Sequence, residues 1–302
     1  MTLHKVAIIG LGLLGGSIGL AAREHLPAIA TSGYDADPHV RQRARELALC
    51  NSITDDPAEA VRGADLVVLC VPVGAMGAAA AAIAPGLAPD ALISDVGSSK
   101  QSIAAALAAA LPGHVIIPAH PVAGTEQSGP DAGFSSLFHG RWCIITPPEG
   151  APQDKVDALA EFWRALGSTV EIMDAQHHDM VLAVTSHIPH LIAYTIVGTA
   201  SDLEQVTRGE VIKYSAGGFR DFTRIAASDP TMWRDVFLNN KDAVLEMMDR
   251  FLTDLGMMRE AIRAGDGETM FDLFTRTRAI RRGIVEQGQD DARPDFGRSH
   301  EE

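Results

Sequence analysis

Ten residues near the middle of this 302-residue chain, His120-Pro121-Val122-Ala123-Gly124-Thr125-Glu126-Gln127-Ser128-Gly129, do not have ordinary loop composition. A histidine follows a strand-like run, and proline and glycine restrict the backbone around it. A neutral imidazole, with a pKa of about 6.5, is a natural acceptor for a hydroxyl proton at neutral pH. Removing hydride from an alcohol-like carbon needs such an acceptor. A loop histidine that only hydrogen-bonds backbone is the competing reading.

Two further clusters stand out. In Ser186-His187-Ile188-Pro189-His190 the histidines are three apart and share a helix face. The pair lacks the Glu of a His-Glu-x-x-His motif, and no third ligand has suitable spacing. Polar residues facing a crevice therefore fit better than a metal site. Residues 217–230 carry Arg220 and Arg224 in a glycine-rich turn. A guanidinium suits planar, bidentate binding of a carboxylate. An ion pair with Asp221 or Asp229 is the alternative.

The fourth pattern is Gly10-Leu11-Gly12-Leu13-Leu14-Gly15, after an apolar strand at 6–9 and before a helix at 13–24. This is G-x-G-x-x-G in its required context. Gly10 allows the turn, Gly12 lets the backbone approach a pyrophosphate, and Gly15 lets helix and strand pack closely. The helix N-terminus offers free N–H groups and the positive end of a dipole. An acidic residue is expected roughly 20 residues on, and Asp35 is there. Its carboxylate can accept from ribose hydroxyls and would repel a 2′-phosphate, so NAD is favoured over NADP. Val71 and Pro72, which end a further strand, are expected along the same cofactor.

These residues need positioning elements. Strand-like runs at 6–9, 30–34, 66–71, 91–94, 115–118, 143–146 and 169–173 alternate with helical stretches up to 166. Such alternation means right-handed crossovers and a mostly parallel sheet. Ligands then sit at the carboxyl ends of the strands, where residues 95–98 and 118–121 converge. From 175 the pattern is helical, at 177–200, 202–211, 231–263 and 268–286. The expected fold class is an α/β Rossmann domain with a doubly wound sheet (residues 1–174), then an all-α domain (175–286). Residues 287–302 read as a disordered polar tail. Apolar positions such as Phe237, Leu245, Met248, Phe251, Leu252 and Leu255 need partner helices, from the same chain or a second copy.

Composition limits the partners. Lys+Arg is 25 against 39 Asp+Glu, a net charge of −14, which disfavours nucleic acid and anionic membranes. Cys50, Cys70 and Cys143 form no disulfide framework or Cys-x-x-Cys pattern, as expected of a reducing, cytoplasmic setting. The glycines at 10–19 argue against a signal peptide. The Ala-rich stretches near 75–84 and 104–111 are too short to cross a bilayer.

In combination, residues 10–15, 95–100, 120–129, 186–190 and 218–233 resemble the prephenate/arogenate dehydrogenases of tyrosine biosynthesis, over nearly the whole chain. The resemblance implies a Rossmann domain, a helical dimerisation domain and a homodimer. It implies NAD(P)-dependent oxidative decarboxylation of a cyclohexadienyl substrate. Carried over, His120 is similar to the catalytic His at the substrate hydroxyl, and Ser98 to the serine that supports it. Arg224 matches a carboxylate-binding arginine and His190 a cleft histidine near the substrate side chain. Thr125, Glu126 and Ser186 line the pocket in similar proteins, and Trp233 falls where the family has a Trp near the subunit interface. Ser99 stands where Val is common. At this length neither a fused chorismate mutase nor a C-terminal regulatory domain, which some relatives carry, is expected. Two other classes compete. Other β-hydroxyacid-type dehydrogenases use a catalytic Lys in the second half, and Lys213 and Lys241 lack that context. A nicotinamide-binding redox sensor need not keep His120, Ser98 and Arg224 together.

Overall fold

A computed structural model describes residues 1–125, 127–207, 213 and 217–286. The expected 287–302 tail, Glu126 and the end of the 202–211 helix lie outside the described residues. The chain divides into two compact units, Met1–Met247 and a second beginning at Met248.

The first unit opens with β1 (Lys5–Ile9), α1 (Leu13–His25), β2 (Ala30–Tyr34), α2 (Pro38–Glu46), β3 (Ser52–Ile53), α3 (Pro57–Val61) and β4 (Leu66–Leu69). Then come α4 (Met76–Ile83), β5 (Leu92–Asp95), α5 (Gln101–Ala110) and β6 (Val115–Ile116). These strands form a parallel sheet in the order β3-β2-β1-β4-β5-β6, and the order reverses between β1 and β4. Alternation along each strand explains why helices cover both faces. Val6, Ile8, Leu66 and Val68 join α1 and α2 in one core. Ala7, Ile9, Val67 and Leu69 join α3, α4 and α5 in the other.

The remaining strands depart from the expected continuation of this sheet. β7 (Ala119–Pro121), β8 (Trp142–Ile145) and β9 (Thr169–Ile172) make a separate three-stranded sheet, with β7 antiparallel to β8. His120 is therefore a strand residue opposite Ile144, not a loop residue. α6 (Gln153–Ala165) connects β8 to β9 and buries Phe162 and Trp163.

Helices follow. α7 (Ala175–Leu182) starts on Asp174, whose side chain accepts from the His177 N–H. It passes through a π turn (Ala183–His187) into α8 (Ile188–Thr207), so the expected break near residue 201 does not occur. The glycine-rich segment expected to be a turn is helical, α9 (Gly217–Thr223), and a 3-10 turn (Arg224–Ala227) follows it. The single helix expected at 231–263 is two, α10 (Pro230–Asn239) and α11 (Lys241–Ala264). Asn240 breaks it, leaving the helical conformation with its side chain buried and hydrogen-bonded. α12 (Gly267–Glu286) is the last described helix. The segment Ala175–Asp202 is long and apolar enough to cross a membrane, with a mean hydropathy of 1.5.

Candidate active site

The glycine turn after β1 has the geometry its spacing implies. Gly10 has φ +99°, and a Cβ there would lie 2.5 Å from the Cys70 carbonyl oxygen. A Cβ on Gly15 would lie 1.8 Å from the Gly10 carbonyl oxygen, so only glycine lets α1 start this close. A Cβ on Gly12 would meet nothing within 4 Å, which leaves open space over the start of α1. No side chain caps α1, and its first-turn N–H groups are left for an anion. Asp35 follows β2 and accepts from the Leu11 N–H (2.8 Å) and the Asp37 N–H (2.9 Å). That anchors the carboxylate at the turn with lone pairs to spare for hydroxyl donors. Val71 lies against Gly10, and Pro72 leads into a 3-10 turn after β4. Open space, free N–H groups and a fixed carboxylate fit a dinucleotide.

The loop after β7 is tied to these helices. Arg43 on α2 binds Asp131 at 2.6 Å, and the Phe134 N–H donates to Ser17 Oγ on α1 (3.1 Å).

His120 is 8% exposed. Lys100 and Asp95, both fully buried, secure its strand. Lys100 Nζ donates to Asp95 Oδ2 (2.5 Å) and to the carbonyl of Ala119 (2.7 Å), the residue before His120. Burial pushes the Asp95 carboxyl up and the Lys100 ammonium down, and each is opposed by the other's charge. Asp95 also accepts from the Gly97 and Ala119 N–H groups. Burial, with the nearby His178, Lys100 and His187, holds His120 well below the ordinary histidine range.

The partner of His120 is one the sequence pattern did not single out. His120 Nδ1 lies 2.9 Å from His178 Nε2, and His178 Nδ1 lies 2.8 Å from Asp179 Oδ1. Asp179 also accepts from the backbone N–H groups of Lys100 (2.7 Å) and Gln101 (3.0 Å) at the start of α5. Burial pushes Asp179 up, but these hydrogen bonds outweigh it and hold the carboxyl below its usual range. Asn240 Nδ2 donates to the Asp179 carbonyl (2.8 Å) and lies 3.1 Å from His187 Nδ1. His187 is fully buried and pushed down to about 4, mainly by desolvation. The only legible signal for His178 and Asp179 was their place on the first turns of a helix that also carries His187 and His190.

The other expected residues are less tightly gathered. Ser98 is half-buried in the turn after β5, and among the described residues its hydroxyl makes no hydrogen bond to His120. His190 Nδ1 donates to the Ser186 carbonyl (2.8 Å), which leaves Nε2 as an acceptor. Its ring stacks on Trp233 at 3.7 Å and 25°. Trp233 is buried there, with His187 edge-on to it. Thr125 is exposed and accepts from the Gln127 N–H. Arg224 is exposed at the head of a 3-10 turn that Tyr194 pins to α8 by donating to the Ser228 carbonyl (2.6 Å). Arg220 and Asp221 lie 3.9 Å apart, a loose surface pair. Among the described residues no group of three or more His, Cys, Asp or Glu comes together to hold a metal.

A parallel sheet in this order, with its glycine cradle at the reversal point, is a dinucleotide-binding architecture, and the buried histidine beside β5 suits a dehydrogenase. Comparison with known proteins narrows that class. Residues 18–172 match the family described as prephenate dehydrogenase, nucleotide-binding domain, and residues 174–276 match prephenate dehydrogenase, dimerization domain. The cyclohexadienyl dehydrogenase of Zymomonas mobilis is 47% identical over 282 residues, covering 93% of this chain and 96% of the relative. The prephenate dehydrogenase of Bacillus subtilis is 32% identical over 281 residues, covering 92% and 76%. The crystal structure of prephenate dehydrogenase from A. aeolicus in complex with hydroxyphenyl propionate and NAD+ has a TM-score of 0.88. It is 31% identical and covers 94% of this chain and 99% of its own. The chain belongs to the prephenate dehydrogenase family.

Proposed function

We propose that the chain catalyses oxidative decarboxylation of a cyclohexadienyl acid, prephenate or arogenate, with NAD as oxidant. His120 carries the reading. It is buried, kept neutral by its surroundings and tied at Nδ1, on a strand bound to the C-terminal end of β5. The relatives' names supply the substrate class. When bound, the nicotinamide supplies the hydride acceptor. The substrate hydroxyl gives its proton to His120 as the ring C–H bond breaks. The bond to the ring carboxylate then breaks, CO2 leaves and the ring becomes aromatic. Prephenate would give 4-hydroxyphenylpyruvate, and arogenate would give tyrosine. Ser98 supplies a hydroxyl beside the reacting centre. Arg224 offers the cation that a dianionic substrate needs near a chain of net charge −14. His190, Thr125, Glu126 and Ser186 line the pocket. Asp35 selects NAD over NADP through the ribose.

Residues 1–174 serve the nucleotide, and residues 175–286 serve substrate and assembly. The exposed apolar residues Val184, Ile196 and Val197 suit a second copy of the chain, as do Leu252, Leu255, Ile262, Phe271, Phe274 and Ile280. A homodimer in the cytoplasm is the form we expect, and the three free thiols accord with that compartment. The test is NADH formation by the purified protein with prephenate and with arogenate at equal concentration. Activity on either supports the class, and the ratio of kcat/KM assigns the preference. No turnover of either by protein that still binds NAD overturns the reading.

A further inference from the structure

We infer that His178 and Asp179 are positioning residues that fix the tautomer of His120, leaving His120 Nε2 as an unprotonated acceptor for the substrate hydroxyl. The inference deepens the reading of His120 as the proton acceptor and rests on it.

Asp179 anchors the chain of contacts. Its Oδ1 accepts from the Lys100 N–H and its Oδ2 from the Gln101 N–H, at the N-terminal end of α5. Two backbone donors and the helix dipole keep the carboxylate ionised. An ionised carboxylate only accepts, so the 2.8 Å contact requires a proton on His178 Nδ1. A neutral His178 then has a lone pair on Nε2. The 2.9 Å contact to His120 Nδ1 therefore requires the proton on His120 Nδ1. His120 Nε2 is left with a lone pair. The other assignment needs a doubly protonated His178, which burial disfavours.

The groups facing His120 are consistent with this. His178 and Asp179 come from α7, His187 from the π turn, Asp95 from the end of β5, Lys100 from the start of α5, and Cys143 from β8. Lys100 is paired with Asp95, so Asp179 is the carboxylate in line with the imidazoles. When the substrate O–H bond breaks, a bond forms from that proton to His120 Nε2. The His120 Nδ1 proton can then pass to His178 Nε2, setting an imidazolium directly against Asp179. The pair gains one proton in all, and no electrons move between them.

The test combines a direct and a kinetic readout. Nitrogen-15 NMR of histidine-labelled protein with NAD, using His120→Asn to assign the signals, should show His120 protonated at Nδ1 and bare at Nε2. An Nε2–H tautomer would overturn the inference. Asp179→Asn can present an amide N–H to His178, which reverses both tautomers and removes the acceptor. It should lower kcat by about 10²–10⁴, move the acid limb of the pH profile and leave NAD binding within about threefold. His178→Phe removes the link without adding a donor. It should lose less activity than Asp179→Asn and also shift that limb. Normal kcat in Asp179→Asn, or a loss with an unmoved pH profile, would overturn the inference. Failure of the underlying reading shows separately, as full turnover in His120→Asn.

Discussion

Replacing Lys100 by Met keeps most of the side-chain volume and removes only the ammonium. The structure gives the cost. Lys100 and Asp95 are both fully buried, and Nζ sits 2.5 Å from Oδ2 and 2.7 Å from the Ala119 carbonyl. Breaking such a pair from one side costs about 3–5 kcal/mol, because the remaining charge is stranded. Asp95 can escape by taking up a proton. Moving a carboxyl from its ordinary pKa of about 3.9 to neutral form at pH 7 costs about 4 kcal/mol. The two routes agree, so Lys100→Met should lose about 4 kcal/mol at pH 7. The sign with pH follows. In the variant, folded Asp95 holds a proton that the unfolded chain gives up above about pH 4, so stability falls as pH rises. The loss should therefore be smaller by a kcal/mol or more at pH 5 than at pH 7, about 1.4 kcal/mol per unit. Asp95→Asn with Lys100→Met removes both charges and should recover at least half of the loss. Urea unfolding of the three proteins, the unsubstituted chain, Lys100→Met and the double variant, at both pH values is the assay. A Lys100→Met loss below about 1 kcal/mol, or one independent of pH, would refute the reasoning.

Other outcomes follow from the same geometry. His120→Asn should lower kcat by about 10²–10⁴ while NAD still binds, and near-normal turnover would remove it from the chemistry. Arg224→Ala should mainly raise the substrate KM, and an unchanged KM would refute carboxylate binding. Asp35→Ser should shift the NADP/NAD ratio of kcat/KM upward by about tenfold or more, and an unmoved ratio would free Asp35 of any part in ribose selection. His187, pushed down to about 4 by burial, stays neutral where the unfolded chain takes up a proton. Its contribution is complete above about pH 6.5 and is lost as pH falls toward 4, by about 3 kcal/mol in all. His187→Gln should flatten that slope in urea titrations, and an identical slope in both proteins would refute the assignment.

What could be read from sequence was local. The glycine turn, β2 and Asp35 depend on neighbours in the chain, and their spacing was enough to expect the turn geometry seen at Gly10 and Gly15. Asp37 caps α2 through the residue two positions on, again a local rule. The misses have a different origin. His120 bonds His178 across 58 positions, and Lys100 bonds Asp179 across 79. No periodicity encodes such contacts, so an ordinary-looking His-Asp pair hid its role. Asn240 sits inside an unbroken helical pattern, and it breaks the helix because its buried side chain serves Asp179 and His187. β7 is three residues long and exists only through pairing with β8.

The π turn shows how a local anomaly builds the distant contacts. His178 and His187 are nine residues apart, which in an unbroken α-helix puts them about 180° apart around the axis. A π turn acts as one inserted residue and brings that angle to about 80°. Both rings then lie on the side where Asn240 and His120 sit, as the hydrogen bonds and mutual charges show. Pro189 supplies the cause. It has no N–H for the Thr185 carbonyl, four residues back, and its ring crowds that turn. The wider turn over Ala183–His187 relieves the clash one turn before α8 proper. The proline thereby acts on the site through the backbone alone, by setting the azimuth at which His187 meets the imidazoles of α7.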